Sequence, residues 1–380
     1  MNKKKILFMI NSLYGGGAEK IFQTLLKNLS LDKYDITVCS VNRNQVDYTY
    51  YPENLKYIHI FDQIDENTNI LTKLLFKIKN KIKLWIYDHY NPSVIYKYCI
   101  KEKYDVEVAF IEGYATKIIS GSSNAKSKKI AWVHIDLEEN PWTEIAYSSL
   151  EEERACYQKY NNILCVSGAV AEAFKRRMKM ETTVSVQYNP VDDEEIKRKS
   201  LMFDIIYPSD VKNFVTIGRL VEQKGYDRLL HMVNELKDQY SFCIRILGEG
   251  KDRKKFEEYI KNNKLEKYVK LLGFQSNPYP FIRAADALIC SSRSEGFSTV
   301  ATEALILQKP IFTTECAGMK ELFGGYDCGI ICENSEDGLK IMLEAVFAKE
   351  NFDEYKDDIR KRSEFFKLER RMKEIGDIID

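Results

Sequence analysis

The sequence of 380 residues lacks the features that mark several large classes of protein. It has no net charge, since 57 Lys and Arg balance 57 Asp and Glu, so no overall positive field points to nucleic acid as a partner. No stretch approaches the roughly 18 apolar residues of a membrane-spanning helix. The apolar run at residues 6–10 is too short for the core of a signal peptide. We therefore expect a cytoplasmic protein, or one on the cytoplasmic face of a membrane.

Disulfides and structural zinc are also not expected, although the sequence has nine cysteines. Their number is odd, no two form a C-x-x-C pair, and most lie inside short apolar segments. Such cysteines are typical of small buried side chains in a reducing compartment. We do not expect a metal at the two that lie nearest in sequence, Cys328 and Cys332.

Short apolar runs alternate with longer amphipathic stretches, which is the pattern of βα units around parallel sheets. The pattern predicts strands at residues 5–10, 36–41, 57–60, 106–111, 129–133, 162–166 and 183–186, and again at 213–217, 241–247, 269–272, 287–290, 310–312 and 329–331. Between the two series, after Asn189-Pro190-Val191, the chain becomes polar and charged at residues 192–200, and Asp192-Asp193 look like a linker.

The length suits two domains better than one core. We therefore predict an α/β protein with two Rossmann-like, doubly wound domains that face a central cleft. The first domain spans residues 1–190 and the second spans residues 191–360, followed by a charged helix at residues 361–380. Ligands of such sheets bind beyond the carboxyl ends of the strands.

Two glycine-containing segments directly follow predicted strands and are suited to an anionic ligand. Gly15, Gly16 and Gly17 let the backbone approach a phosphate, and the helix start after them presents free N–H groups. Arg219 and Lys224 add a planar donor and a mobile charge. The alternative for the three glycines is a tight turn without a ligand, and the alternative for Arg219 and Lys224 is that both are solvated loop cations. The first segment does not spell G-x-G-x-x-G, which argues against a dinucleotide cofactor and a nicotinamide-dependent oxidoreductase.

The segment from Ser291 to Ala304 is the most informative, because a strand, a loop and a helix start carry two carboxylates eight positions apart. Glu295 in the loop can accept hydrogen bonds from sugar hydroxyls, whereas Glu303, about one turn into the helix, can hold a ribose diol. Free N–H groups at Ser298 and Thr299 can bind phosphate oxygens. The alternative is a surface glutamate and a first-turn carboxylate that favours the helix dipole.

Of the four histidines, only His134 directly follows a predicted strand at its carboxyl end. The other three lie within a strand, in a polar stretch and on a helix. A lone histidine is often structural, so both a structural role and a role in a binding site stay open for His134.

Taken in order, these segments resemble the family 4 retaining glycosyltransferases of the GT-B fold, of the type that builds bacterial surface polysaccharides. The resemblance covers nearly the whole chain and ends in the family's E-x7-E pattern. Its features are Gly15-Gly16-Gly17 with Ala18-Glu19, His134, Ser167, Asn189-Pro190-Val191, Gly218-Arg219 with Lys224-Gly225, Gly248-Glu249-Gly250, Gly273-Phe274 and Glu295 to Glu303. The resemblance also implies that the last helix packs on the first domain.

For the donor, the resemblance implies that Arg219 and Lys224 neutralise a diphosphate, helped by backbone N–H groups at Gly16, Ser298 and Thr299. Positive groups at that place would stabilise the charge that develops on the leaving phosphate.

For the sugar and the base, the resemblance implies that Glu303 binds the ribose, Glu295 approaches the donor sugar and the base lies near Gly273 and Phe274. His134 would lie at the reacting end of the sugar. The donor site is completed by Gly15, Gly17, Gly296 and Phe297, and the residues expected in catalysis are His134, Glu295, Arg219 and Lys224.

The implied reaction is a retaining hexosyl transfer from a nucleotide sugar, taken here as a UDP-sugar. The acceptor would be a glycan or a polyprenyl-linked oligosaccharide in capsule, exopolysaccharide or O-antigen synthesis. In this family the leaving phosphate is thought to help deprotonate the acceptor. No D-x-D motif occurs in a suitable loop, so we expect neither a metal nor a cofactor. Two other functions stay open: a GT-B-type sugar-nucleotide epimerase and a non-catalytic subunit that binds sugar nucleotides.

Residues 71–87 form a stretch that the family resemblance does not explain. Apolar residues recur at helical spacing and lysines surround them, at positions 73, 77, 79, 81 and 83, with a tryptophan near the end. Such a helix could lie on an anionic membrane, where a lipid-linked acceptor would be found. It could equally be an ordinary helix whose apolar stripe faces the core.

Overall fold

A computed structural model describes residues 3–13, 16–42, 51–61, 69–180 and 183–380. Gly15, one of the predicted donor residues, lies outside these ranges. The chain folds into two compact units. The first consists of Met1–Pro190 with Met372–Asp380, and the second consists of Val191–Arg371.

The first unit is built on a parallel sheet in the order β3-β2-β1-β4-β5-β6-β7. Its strands are β1 (Lys4–Ile10), β2 (Tyr34–Asn42), β3 (Lys56–Phe61), β4 (Val106–Ala109), β5 (Lys128–Val133), β6 (Asn162–Cys165) and β7 (Val184–Val186). Its helices are α1 (Gly17–Asn28), α2 (Ile70–His89), α3 (Pro92–Cys99), α4 (Tyr114–Ser120), α5 (Leu150–Tyr157) and α6 (Gly168–Met178). The central strand β1 is buried from Ile6 to Ile10, as expected of a continuous apolar run covered on both faces.

The second unit is built on a parallel sheet in the order β10-β9-β8-β11-β12-β13. Its strands are β8 (Lys212–Ile217), β9 (Phe242–Leu247), β10 (Val269–Gly273), β11 (Ala287–Cys290), β12 (Ile311–Thr314) and β13 (Gly329–Cys332). Its helices are α7 (Asp193–Ser200), α8 (Tyr226–Leu236), α9 (Arg253–Asn262), α10 (Tyr279–Ala284), α11 (Thr299–Ile306), α12 (Met319–Phe323), α13 (Glu336–Ala348) and α14 (Lys356–Ser363). The last helix, α15 (Leu368–Ile379), begins in the second unit and ends in the first.

Both sheets have the strand order of a doubly wound fold, so the predicted α/β class with two Rossmann-like domains is confirmed. The order reverses between β1 and β4 in the first sheet and between β8 and β11 in the second. Ligands of open parallel sheets bind outside the carboxyl ends of the strands at this reversal. We therefore expect the ligand-binding residues at the carboxyl ends of the strands beside these two reversals.

The interpretation of Asp192-Asp193 as a linker is wrong, because α7 begins at Asp193, directly after Asp192. Asp192 caps the helix by accepting a hydrogen bond from the Glu195 N–H at 2.8 Å. Acidic side chains occupy the first turn and basic ones the last, which suits the helix dipole. Ile196 is buried and ties the helix to the unit.

The C-terminal stretch, expected as one helix over residues 361–380, contains the end of α14, a 3-10 turn at Glu364–Phe366 and α15. In the first unit, the Tyr34 hydroxyl donates to Asp380 Oδ1 at 2.9 Å, and Lys4 Nζ donates to the Ile379 carbonyl at 3.3 Å. Across the described ranges, no helix is both long enough and apolar enough to cross a membrane.

Candidate functional site

The loops after β8, β9 and β11 meet at the carboxyl edge of the second sheet. Their close approach requires glycine at two positions. Gly225 has a φ of +65°, and a Cβ there would lie 2.0 Å from the Ser291 carbonyl oxygen. Gly248 has a φ of +147°, and its Cβ would lie 1.9 Å from the Gly218 carbonyl oxygen. Neither position leaves room for a side chain. Glycine at both positions therefore permits the close packing of these loops.

Lys224 and Glu295 form an ion pair at this edge. Lys224 Nζ lies 2.6 Å from Glu295 Oε1, and the Ser292 hydroxyl donates to the same oxygen at 2.7 Å. The two charged side chains are only 19% and 13% exposed. The alternative interpretation of Lys224 as a solvated loop cation is therefore wrong. Both contacts use Oε1, which leaves Glu295 Oε2 to other donors.

Arg228 fixes the backbone of the loop that carries Glu295. Its Nη2 donates to the carbonyls of Ser291 and Ser292 at 2.7 and 2.8 Å and to Asn334 Oδ1 at 2.7 Å, and its Nε donates to Ser291 as well. The side chain is buried. Sequence reasoning missed this residue, because an arginine inside a predicted helix gives no sign that it points inward.

The start of α11 provides an anion site of the expected kind. The Ser298 hydroxyl accepts from the Ala301 N–H at 3.3 Å, and the other N–H groups of the first turn, including that of Thr299, have no partner within the helix. Glu303 lies on the second turn and is buried. Because α11 has no acidic residue in its first turn, the alternative that Glu303 serves the helix dipole is wrong.

The remaining predicted donor residues of this unit differ in exposure. Phe274, directly after Gly273 at the end of β10, is 72% exposed, whereas Gly296 and Phe297 are buried. Arg219 is exposed, and its guanidinium makes no hydrogen bond or ion pair with any residue that the structure describes. Its guanidinium is available to a ligand.

In the first unit, Gly16 is the N-cap of α1 and Gly17 is its first residue. Gly16 is extended, and no side-chain hydrogen bond caps the helix among the described residues. A Cβ at Gly16 would lie 2.2 Å from Glu19 Oε2, so the Glu19 carboxylate lies against this helix end. An anionic ligand that bound here would have to displace that carboxylate.

His134 lies where sequence reasoning places it, at the carboxyl end of β5, and is half-buried. Its Nε2 lies 2.8 Å from the Phe110 carbonyl oxygen. Since that oxygen can only accept, Nε2 carries the proton and Nδ1 carries the lone pair. The ring stacks on Trp132, and burial lowers the pKa of His134 to about 4. The imidazole is therefore neutral near pH 7.

Glu112 is a buried carboxyl beside His134 that sequence reasoning missed. Its Oε2 accepts the backbone N–H of His134 at 3.2 Å, and the side chain is 1% exposed. Burial raises its pKa to about 7, although hydrogen bonds, including one from Trp142, oppose this shift. The signal was present, because Glu112 follows the predicted strand at residues 106–111 just as His134 follows the next strand.

Within the described ranges, no group of three or more His, Cys, Asp or Glu side chains is placed to hold a metal ion. All nine cysteines are free, including Cys328 and Cys332.

Residues 197–364 match the family described as glycosyl transferases group 1. Over 356 residues and 90% of both chains, the protein is 27% identical to the N-acetylgalactosamine-N,N'-diacetylbacillosaminyl-diphospho-undecaprenol 4-alpha-N-acetylgalactosaminyltransferase of Campylobacter jejuni. It is 31% identical over 185 residues to a glycosyltransferase of Methanocaldococcus jannaschii. That match covers 47% of this chain and 48% of the relative, so the chain spans about half the length of that protein.

Among solved structures, the chain is similar to Anabaena Alr3699/HepE in complex with UDP and glucose. The TM-score is 0.72, with 17% identity over 99% of both chains. This likeness confirms the predicted GT-B fold.

Proposed function

Because residues 197–364 match the group 1 glycosyltransferases, we propose that this chain is a retaining hexosyltransferase with a UDP-sugar donor and a lipid-linked oligosaccharide acceptor. The product would be part of a bacterial surface polysaccharide. The transfer would need neither a metal nor a cofactor, because cationic side chains and helix N–H groups would stabilise the leaving diphosphate.

The observation that carries the proposal is the grouping of donor-binding chemistry at the switch point of the second sheet. The exposed guanidinium of Arg219, the Lys224 and Glu295 pair and the open N–H groups of α11 lie at the ends of β8 and β11 or directly after them. A diphosphate would attract the ammonium of Lys224 and release Glu295 toward sugar hydroxyls. Glu303 would hold the ribose from the second turn of α11.

His134 would supply the first unit's part of the reaction. With Nε2 donating to Phe110, its Nδ1 can accept a hydrogen bond from a hydroxyl of the donor or the acceptor. The neutral ring adds no charge that would compete for the diphosphate.

Two relatives support the choice of donor and acceptor. The Anabaena structure contains UDP and glucose, and the Campylobacter enzyme is named for a diphospho-undecaprenol acceptor. From these names we extend to this chain a UDP-linked donor and a polyprenyl-linked acceptor.

Calorimetric titration with a panel of UDP- and GDP-sugars tests the donor site. Arg219→Ala and Glu303→Ala should each weaken nucleotide binding by about tenfold to a hundredfold, the effect of losing a charge-assisted hydrogen bond. The matched controls are Lys255→Ala and Glu258→Ala on the exposed face of α9, which should bind as the wild type does. Wild-type nucleotide affinity in both site variants would contradict the proposed donor site.

Product analysis then separates transfer from the alternatives. Incubation with the donor alone should leave it intact, whereas an added lipid-linked oligosaccharide should gain one sugar with the anomeric configuration of the donor. An isomerised or free sugar nucleotide without acceptor would indicate an epimerase. Normal donor binding without turnover on any lipid-linked or free glycan would contradict the proposed transferase activity.

A further inference from the structure

The apolar stripe of α2 faces solvent rather than the core. Six side chains form it along one side of the helix, and each is nearly half exposed or more: Leu71 (70%), Leu74 (53%), Leu75 (52%), Ile78 (47%), Ile82 (47%) and Trp85 (52%). Of the two interpretations of this helix, the one in which the stripe belongs to the core is therefore wrong. A row of large apolar side chains exposed to solvent is typical of a surface that binds another protein or a membrane.

The opposite side of α2 fixes the helix in this orientation. Tyr87 is buried, and its hydroxyl donates to the Ala146 carbonyl at 2.8 Å. Lys117 Nζ lies 4.4 Å from the centre of the Tyr87 ring, and Lys83 Nζ donates to the Ile60 carbonyl. These contacts hold the helix to the first unit with its stripe outward.

Lysines border the stripe on both sides. At about 100° per residue, Lys77 and Lys81 lie along one side of the stripe and Lys79 along the other. All three are exposed, and none forms an ion pair with a residue in the described ranges. The helix carries five lysines and a single acidic residue, Asp88. The surface is thus apolar in the middle and positive at its margins.

The exposed apolar surface continues from the end of α2 onto α3. Tyr90, Val94 and Tyr98 are 48%, 39% and 46% exposed, and the Tyr90 ring packs edge-on against Trp85 at 5.3 Å. Lys101 Nζ lies 5.5 Å from the centre of the Tyr98 ring. Tyrosine and tryptophan at the edge of an apolar surface are typical of contacts at the headgroup level of a bilayer.

We propose that this surface, the stripe of α2 with Tyr90, Val94 and Tyr98 of the following segment, binds the surface of an anionic lipid bilayer. The stripe enters the boundary between headgroups and acyl chains while Lys77, Lys79 and Lys81 contact the anionic headgroups. The binding stands on the geometry of this surface alone. Its purpose, to bring the enzyme to a lipid-linked acceptor, rests on the proposed function.

Charge complementarity favours a bilayer over a second copy of this chain. Two copies that met stripe to stripe would bring the bordering lysines of both together, and like charges at an interface are costly. A membrane rich in anionic lipid offers an apolar interior bordered by negative charge, which matches this surface in both respects.

Co-sedimentation of the full chain with lipid vesicles tests the proposal. The wild type should bind vesicles of phosphatidylcholine with phosphatidylglycerol more tightly than vesicles of phosphatidylcholine alone. Each lysine near an anionic surface is worth about fivefold in affinity, so a Lys77→Gln, Lys79→Gln and Lys81→Gln triple variant should bind about a hundredfold more weakly. Equal binding of the triple variant and the wild type would overturn the role of the lysines.

A matched control exists on α9, where Lys254, Lys255 and Lys261 are also exposed. Their replacement by glutamine removes the same charge and should leave binding to anionic vesicles at most a fewfold weaker. Equal losses in the two triple variants would show that net charge, not the α2 surface, governs binding.

The apolar part is tested with Ile78→Ser and Ile82→Ser together, which should weaken binding by about tenfold or more. Vesicles should shift the tryptophan fluorescence to the blue in the wild type and not in Trp85→Phe, which retains the two other tryptophans. A concentration-dependent dimer that the isoleucine variant abolishes, with no vesicle binding by the wild type, would assign the surface to a second copy and overturn the proposal.

No donor or acceptor enters these assays, so the two proposals fail separately. A lysine variant that loses vesicle binding should keep the wild-type affinity for UDP-sugar. Vesicle binding by a chain without nucleotide affinity would refute the proposed function and leave the membrane surface in place.

Discussion

Replacing Glu112 with glutamine should make the stability of the protein less dependent on pH between about 4.5 and 7. The carboxyl is 1% exposed, and burial raises its pKa from 4.5 to about 7. The groups that face it are the His134 backbone N–H, Trp142, and the side chains of Glu153, Tyr157 and Cys165. None of these is a cation that would stabilise the charged form.

The magnitude follows from the difference between the two pKa values. Between pH 4.5 and 7 the unfolded chain has lost this proton while the folded protein keeps it, so the folded state is favoured less as the pH rises. Each unit of pKa difference corresponds to 1.36 kcal/mol. The stabilisation is complete below pH 4.5 and is lost by pH 7, a change of about 3 kcal/mol in the free energy of unfolding. Glutamine does not titrate and lacks this dependence.

Urea denaturation at a series of pH values measures the effect. The free energy of unfolding of the wild type minus that of Glu112→Gln should fall by about 3 kcal/mol from pH 4.5 to pH 7. Glu258→Gln, on the exposed face of α9, is the matched control for loss of a glutamate outside the core. A difference that stays constant across this range would refute the reasoning.

Glu153 provides a second check, because it is buried and its pKa is also raised by burial. Arg177 lies 3.8 Å from Glu153 Oε2 and opposes that shift, whereas no such cation opposes the shift of Glu112. If Glu153→Gln removed the pH dependence and Glu112→Gln left it unchanged, the titration would belong to Glu153.

Three further predictions concern the candidate site. His134→Ala should lower turnover and leave nucleotide affinity unchanged, and because the pKa of His134 is about 4, wild-type turnover between pH 5 and 8 should show no step from this imidazole. Arg228→Gln should lower the free energy of unfolding by about 2–4 kcal/mol, because the buried carbonyls of Ser291 and Ser292 lose their donor. It should also weaken donor binding. Urea denaturation measures the first effect and calorimetric titration the second. Gly225→Ala should lower the melting temperature, because its Cβ would meet the Ser291 carbonyl, whereas Gly376→Ala, with open space around it, should not.

The central strands of the two sheets could be predicted because they are buried on both faces. A run such as Ala287–Cys290 is apolar throughout and is followed by a polar loop, so its bounds are visible in the sequence. The polar residues that follow such runs lie at the carboxyl edge of the sheet, and this is why His134 and Glu295 were found. The same reasoning would have found Glu112, had it been applied to every strand.

Contacts between distant segments could not be predicted in the same way. The ion pair of Lys224 with Glu295 joins loops 71 positions apart, and the sequence pattern does not say that the two charges meet. Nor does the period of α2 say which way its stripe faces. That orientation is set by Tyr87 and Lys83, on the opposite side of the helix, which reach the rest of the unit.

The helix α7 is a different case, because its signals were present in the sequence. Asp192 is a good N-cap, acidic residues follow it and basic residues come next, which is the charge order that a helix dipole favours. Asp192 and Asp193 look like a linker because they begin a short, strongly charged stretch at the predicted domain boundary. Its single buried apolar side chain, Ile196, gives too little periodicity to predict a helix from hydrophobicity alone.

The state of His134 limits what it can do in the proposed transfer. An imidazole whose pKa is about 4 is a weak base, and its Nε2 proton is already donated to the Phe110 carbonyl. Its free Nδ1 can therefore orient a hydroxyl but cannot hold that hydroxyl's proton near pH 7. In a retaining transfer the acceptor's proton would then pass to an oxygen of the leaving diphosphate, whose charge Arg219 and Lys224 would balance. In the proposed transfer, His134 would therefore position the reacting hydroxyl, and the base would come from the donor itself.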